Sequence, residues 1–506
     1  VGTAAAHATL ISSTPSADEV VAEPPTAVIL TFDEPVRVGA DGIRVLGPDG
    51  TPITTGPARS SDGGRVLTQP VDRAGRGTQT VSYRVLSEDG HVIAGSFAFH
   101  VGERSAAAVV EDPSPLPRVL GMLGRWIAFA GAVLAGGVVA MALVVDRRPA
   151  GRAWTAGLES SRRLLVPAAA AVLFGSGLAL LGSAAQLAGS LGGSLTGLGD
   201  LLGSGRTGAV AGTRVLVALV LLVAVAGGAL LRAAPWLAVT GVLAALALPS
   251  FGGHAATAHP AVLAVPADVG HVLAVAAWVG GLAVLVLTWD AGRDRLQRYS
   301  GMALVAAPVV VLTGAVGGWL HVDGPAALLG TDYGRLLGAK VAGTAVMIGL
   351  GLWHRRRLGR PDDPPGRLLP TLRVEVALGV ALLAVAAVLV VVAPPSQGGA
   401  DSFDGVERVG RAGSTDVRVQ VVPARPGPND VHVYFTRPDG SPAAVDASEL
   451  TVSSPSIEPR RVPLTPVTLD HATTSGVQLT RGTWRFGITI VSRGEAARTS
   501  VEVPIR

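Results

Sequence analysis

Eight stretches between Val119 and Ala393 are apolar over about 20 residues each, the length a helix needs to cross roughly 30 Å of hydrocarbon. They lie near 119–145, 164–187, 209–231, 236–251, 267–289, 301–320, 336–353 and 374–393. A chain of 506 residues with 49% hydrophobic content and a mean hydropathy of +0.47 carries more apolar surface than a soluble core absorbs, so the excess faces lipid. The connections after the first, third, fifth and seventh stretches hold 15 arginines, including Arg147, Arg162, Arg232, Arg295 and Arg356. The opposite loops and helix mouths hold only Arg206, Arg214, Arg335 and Lys340. The positive-inside rule then places both termini outside the cytoplasm. Net charge is −6 over residues 7–112, +10 over 113–399 and 0 over 400–506. The basic excess therefore orients a membrane protein, and no nucleic-acid partner is expected.

The flanking segments read as β-structure. Apolar alternation over Ala27–Phe32, Ile43–Leu46, Arg65–Val71, Thr78–Leu86 and Ser96–Val101, broken by Gly, Pro and Asp turns, predicts a Greek-key sandwich or barrel. Pro113, Pro115 and Pro117 stiffen a linker over 103–118. Runs at Val417–Val422, Asp430–Thr436, Gly476–Leu479, Trp484–Val491 and Thr499–Ile505 predict a second sandwich over 400–506. The expected fold is thus a multidomain membrane protein: an N-terminal all-β Greek-key sandwich or barrel, an eight-helix transmembrane bundle over 119–393 and a C-terminal all-β sandwich.

Cysteine is absent, which removes disulfides, thiolate zinc sites and iron–sulfur ligation together. Methionine is scarce, at Met122, Met141, Met302 and Met347, so no Met-rich Cu(I) tract exists. Metal chemistry must rest on His, carboxylates, single Met residues or backbone. Ala4-Ala5-Ala6 has the small-residue character of a signal cleavage site, so residues 1–6 are read as a signal-peptide remnant and His7 as the mature N-terminus. A free α-amine and the imidazole of His7 chelate together, and Asp89 and His91 add a carboxylate and a second imidazole. Such a nitrogen and oxygen set favours Cu(II) by geometry and by the Irving–Williams order.

A second constellation falls toward the outer side of the membrane region: His254, His259, Asp268, His271 and His321. Asp268 and His271, at i and i+3, share a helix face. Ionisable groups within spans are functional candidates, although Asp268 also falls in the first turn after Pro266, where a carboxylate favours the helix dipole. Lys340, the one lysine against 40 arginines, is either a counter-ion in this path or an interfacial snorkelling residue.

The N-terminal pattern His7-Ala8-x-Leu10, Leu30-x-Phe32-x-Glu34-Pro35 and Tyr83-Arg84-Val85-x-Ser87-x-Asp89-Gly90-His91 resembles the periplasmic copper-binding CopC family. The resemblance implies a Cu(II) site at His7, Asp89 and His91. Tyr83 departs from the Trp common in that family, and residues 1–121 contain no Met, which removes the Cu(I) site of some relatives. Gly253-His254-Ala255, Asp268-x-x-His271, Trp278-x-Gly280-Gly281 and Tyr333-Gly334-Arg335-x-Leu337-x-x-Lys340 resemble the CopD copper-transport family, which implies copper uptake across the inner membrane. Gly280-Gly281 also reads simply as a close-packing pair. Pro426-Gly427-Pro428-Asn429 with His432 and Trp484 resembles a YtkA- or FixH-like domain, and His432 reads as structural.

The expected function is Cu(II) binding outside and participation in copper import through a multi-pass protein of the cytoplasmic membrane, with both terminal domains extracytoplasmic. Expected partners are the copper ion, the lipid bilayer and other envelope copper proteins. The alternative is a membrane-tethered copper chaperone or buffer. No catalytic residues are assigned. An oxygen-activating enzyme built on an N-terminal His is disfavoured by Asp89, whose carboxylate would fill a ligand position and stabilise Cu(II).

Overall fold

A computed structural model describes residues 8, 10–17, 19–72, 75–88, 90–105, 108, 114–146, 153–258, 260–290, 292–321, 332–360, 364–390, 405–437, 443–468, 470–492 and 494–505. The N-terminal sandwich forms because its strands alternate. In β3 (Ala27–Phe32) Val28, Leu30 and Phe32 are buried while their neighbours are not. Strands β1 (Leu10–Thr14), β3, β6 (Val66–Pro70) and β5 (Arg59–Ser61) make one sheet. The other is ordered β2 (Val20–Val21), β8 (Val92–Val101), β7 (Gly77–Ser87) and β4 (Val36–Leu46). Val28, Leu30, Phe32, Val45, Leu67, Val81, Val85 and Phe99 fill the space between them. The β7–β8 hairpin closes with Ser87 N donating to His91 O and Gly90 N donating to Ser87 O. Gly90 takes φ 89°, left-handed geometry that suits glycine.

The helical region runs α1 (Leu116–Val145), α2 (Ala153–Ser160), α3 (Arg162–Ala188), α4 (Ser194–Leu202), α5 (Arg206–Ala226), α6 (Gly228–Ala233), α7 (Pro235–Phe251), α8 (His254–Thr257), α9 (Ala261–Leu287), α10 (Arg293–His321), α11 (Asp332–Leu358) and α12 (Leu369–Leu389). Among the described residues seven helices are long and apolar enough to span a membrane, against the eight expected. The fourth stretch forms the shorter α7. The backbone leaves helical geometry at Gly227 (ψ 91°) and Ala234 (φ −138°), which ends α5 early and splits off α6. Helix α9 begins at Ala261, so Pro266 lies inside it and Asp268 stands two turns in rather than in the first turn. The helix-dipole account of Asp268 is thereby corrected. A Cβ on Gly280 would collide with the Val133 carbonyl, and one on Gly137 with the Gly280 backbone, so glycine lets α1 and α9 touch main chain to main chain.

In the C-terminal sandwich, β14 (Thr465–Thr468), β15 (His471–Leu479), β11 (Gly427–Thr436), β10 (Thr415–Val422) and β9 (Val406–Ala412) form one sheet. The second contains β13 (Ile457–Val462), β12 (Ala447–Ser454), β16 (Gly482–Ser492) and β17 (Glu495–Ile505). Trp484, Phe486, Phe435 and the alternating valines of β10 and β11 form its core. Pro428 and Asn429, which precede the expected strand Asp430–Thr436, already belong to β11, and Asn429 is buried with its amide donating to Arg425 O and Gly427 O.

Candidate functional site

The β7–β8 hairpin tip meets the helical region. Thr207 Oγ1 of α5 donates to Glu88 O at 3.3 Å, and a side chain on Gly90 would press Thr207 at 3.1 Å. Just beyond this tip, His91 Nε2 lies 2.6 Å from Val390 O. A carbonyl only accepts, so Nε2 carries the proton and Nδ1 is the lone-pair nitrogen of the neutral ring. The His91 ring stacks on His254 of α8, with centroids 4.9 Å apart and planes 10° from parallel.

Both imidazoles line a cavity of about 440 Å³ that descends between the helices and is also lined by Asp268, His271, Lys340 and Tyr333. Asp268 and His271 project together from α9, as their spacing predicts. His271 Nδ1 lies 3.0 Å from Thr313 Oγ1, whose single proton goes to Val309 O at 2.6 Å. Thr313 therefore accepts from His271, Nδ1 carries the proton, and Nε2 keeps its lone pair. That orientation by a neighbouring acceptor is the arrangement that prepares imidazole for a metal ion. Lys340 lines the cavity within electrostatic reach of Asp268.

Of the residues expected at the N-terminal site, His7 and Asp89 lie outside the described residues, as does His259. His321 ends α10. Among the described residues no three His, Cys, Asp or Glu side chains group closely enough to hold a metal ion. Arg214, expected at a loop or helix mouth, instead lies within α5 and lines the cavity with Arg125 of α1.

Two further pairs went unread in the sequence. In α11 and α12, His354 Nδ1 and Glu375 Oε2 stand 3.1 Å apart with side chains 6% and 3% exposed. Glu375 is the one acidic residue of its apolar helix, a signal for function that the sequence carries openly. On the C-terminal sandwich, His432 Nδ1 lies 3.2 Å from His471 Nε2, and Tyr434 stacks on His471 at 4.2 Å. Burial holds His432 neutral down to about 4 and His471 well below its ordinary range, while it pushes the Tyr434 phenol up to about 12.

The CopC domain family matches residues 10–102, and the family of copper resistance protein D matches residues 293–389. Over 469 residues the chain is 25% identical to the copper transport protein CutJ of Bacillus subtilis (strain 168), spanning 87% of this chain and 84% of CutJ. Protein YobA of Escherichia coli (strain K12) is 36% identical over 98 residues, 19% of this chain and 79% of YobA. Among solved structures, CopC from Methylosinus trichosporium OB3b is 32% identical over 19% of this chain and 95% of its own, with a TM-score of 0.18. The methionine-rich copper resistance protein PcoC from Escherichia coli is 26% identical over 19% of this chain and 99% of its own, with a TM-score of 0.17. Over residues 10–102 the chain therefore belongs to the CopC domain family, and its residues 293–389 are similar to copper resistance protein D.

Proposed function

We propose that this protein binds Cu(II) on the extracytoplasmic side and takes part in copper import across the cytoplasmic membrane. The organisation that goes with this reading is a signal remnant at 1–6, a Cu(II)-binding domain at 7–102, a membrane domain at 119–393 and a YtkA/FixH-like domain at 400–506. In it His7, Asp89 and His91 hold the ion, and Asp268 and His271 receive it. His254 stands between these two sets, with His259 and His321 as further members of the path and Lys340 as counter-ion. The observation that carries the reading is the seat of His91, which reaches from the N-terminal sandwich into the mouth of the cavity that holds Asp268 and His271.

A copper ion that leaves water for the bundle loses several kcal/mol of solvation. Along this cavity the anionic Asp268 and the lone pair of His271 offset that loss. The same residues have no comparable value to a domain that merely anchors. Vesicles containing Asp268→Asn or His271→Ala protein at matched levels are expected to accumulate copper roughly tenfold more slowly or worse, the scale on which ligand-shell losses act. Cu(II) binding by the N-terminal domain should be unchanged in both. Wild-type accumulation in the two variants would overturn the import reading in favour of a membrane-tethered chaperone or buffer.

A further inference from the structure

We propose that His354 and Glu375 form a second, inner copper-binding station, on the arginine-rich side of the helical bundle. The inference rests on the copper-handling reading above and extends it to residues that neither sequence motif nor family resemblance had singled out.

The argument begins with a proton. Thr371 Oγ1 donates to Leu368 O at 2.8 Å and lies 2.9 Å from His354 Nε2. A threonine hydroxyl has one proton to give, so toward His354 it accepts, and Nε2–H is the donor. The lone pair of the neutral ring therefore sits on Nδ1. That atom is buried without an aligned hydrogen bond, and it stands 3.1 Å from Glu375 Oε2. Two lone-pair atoms at this distance repel unless a positive charge lies between or beside them. A proton shared in a His–Glu ion pair meets that need, and so does a metal ion bound by imidazole and carboxylate, the occupant proposed here.

The inner pair repeats the construction of the outer one. Asp268 and His271 combine a carboxylate with an imidazole whose proton is taken by Thr313, itself bonded to a helix carbonyl. Glu375 and His354 combine the same groups, and Thr371 plays the part of Thr313. From Lys340 in the outer cavity to His354, helix α11 advances 14 residues, about 21 Å at ~1.5 Å each. The two stations therefore occupy opposite halves of a membrane thickness.

Trp278 connects them. It lines both the outer cavity and a groove of about 410 Å³ that is walled by Tyr299, His354 and Glu375. It is 4% exposed and sits in a π-turn of α9 over Ala276–Gly280, an irregularity frequent at functional sites. Tyr299 donates its hydroxyl proton to the Trp278 carbonyl at 2.8 Å, which holds that turn in place. Trp278 thus belongs to the walls of both spaces.

The test counts copper. Full-length wild type, His354→Ala, Glu375→Gln and Thr371→Val are reconstituted in lipid discs, equilibrated with copper and stripped of free metal, and bound copper per chain is measured beside the Cu(II) EPR signal of the N-terminal domain. His354→Ala and Glu375→Gln should each retain one copper fewer than wild type with the EPR signal unchanged. Thr371→Val should weaken that copper by roughly 10–100-fold, because it removes the group that orients the imidazole. Equal stoichiometry in wild type and Glu375→Gln overturns the proposal, including the case in which the pair binds only a proton. Glu375→Gln keeps the side-chain volume, so it decides the matter even where His354→Ala fails to fold. Uptake into vesicles separates the two readings: if wild type accumulates no copper yet the stoichiometry difference persists, import fails and the inner station stands.

Discussion

The rings of His91 and His254 lie face to face, 4.9 Å between centroids and 10° from parallel, although one belongs to a β-hairpin and the other to a short helix between membrane segments. The contact gives the N-terminal sandwich a fixed seat on the helical bundle. It is reinforced by the bond from His91 Nε2 to Val390 O and by Thr207 against the hairpin tip. The hairpin that carries His91 is thereby held at a cavity mouth, and in the proposed function transfer over so short a path would require no release to bulk water.

The proposed N-terminal chelate depends on a free amine at His7. A protein that begins at His7 is expected to bind Cu(II) far more tightly than one that retains Val1–Ala6, with a distinct EPR spectrum. Binding should weaken with acid, because imidazole and the α-amine hold the metal only when deprotonated. Equal affinity and identical spectra for the two forms would eliminate the chelate.

Topology offers an independent check. Reporter fusions at Arg356 and after the C-terminal sandwich are expected to report opposite compartments, cytoplasmic for the first and extracytoplasmic for the second. A common compartment would refute the orientation derived from arginine distribution.

Burial of the His432–His471 pair is expected to make the C-terminal sandwich acid-sensitive. Both rings stay neutral when folded, whereas in the unfolded chain they take protons near pH 6.5. Stability is then complete above about pH 6.5 and falls as pH drops toward 4, since the unfolded state binds more protons over that window. Protection of the β11 and β15 amides against hydrogen exchange in the full chain, measured relative to the intrinsic rate at each pH, should fall on acidification from pH 7 to 4.5. A His432→Gln, His471→Gln variant should lose most of this pH dependence, and an unchanged profile would count against the burial argument.

Backbone contact between α1 and α9 predicts a sharp contrast among glycines. Gly280→Ala would drive a methyl group into the Val133 carbonyl and should cost about 1–3 kcal/mol, read as a lowered unfolding temperature in detergent. Gly177→Ala, in α3 with nothing near its added methyl group, should be neutral or mildly stabilising. Equal behaviour of the two variants would argue that the helices do not pack as closely as described.

Periodicity carried much of the architecture. Eight apolar stretches and two alternating flanks appear as seven long helices, the shorter Pro235–Phe251 and two sandwiches. Helix ends were less legible. The lower hydropathy of the Arg293–Ser300 segment hid the start of α10, and the polar Glu407, Arg408 and Arg411 of the edge strand β9 masked its β-pattern. At the candidate site, the i, i+3 relation of Asp268 and His271 was visible because helix geometry is local. His354 and Glu375 are not legible as a pair: the first lies beside Arg355, Arg356 and Arg357, and the second is a single acid in an apolar run 21 positions on.

Local pattern alone dictates the membrane helices, the sandwiches, the arginine asymmetry and the shared face of Asp268 and His271, and a composition without cysteine removes thiol chemistry. The tertiary structure alone decided which distant groups meet. His91 reaches His254, Thr313 and Thr371 set the protons of His271 and His354, Glu375 faces His354, and Trp278 belongs to the walls of two spaces. The physical reason is that side-chain periodicity fixes only the face a residue occupies, whereas the packing of helices and sheets, to which glycines such as Gly137 and Gly280 contribute, fixes what that face touches.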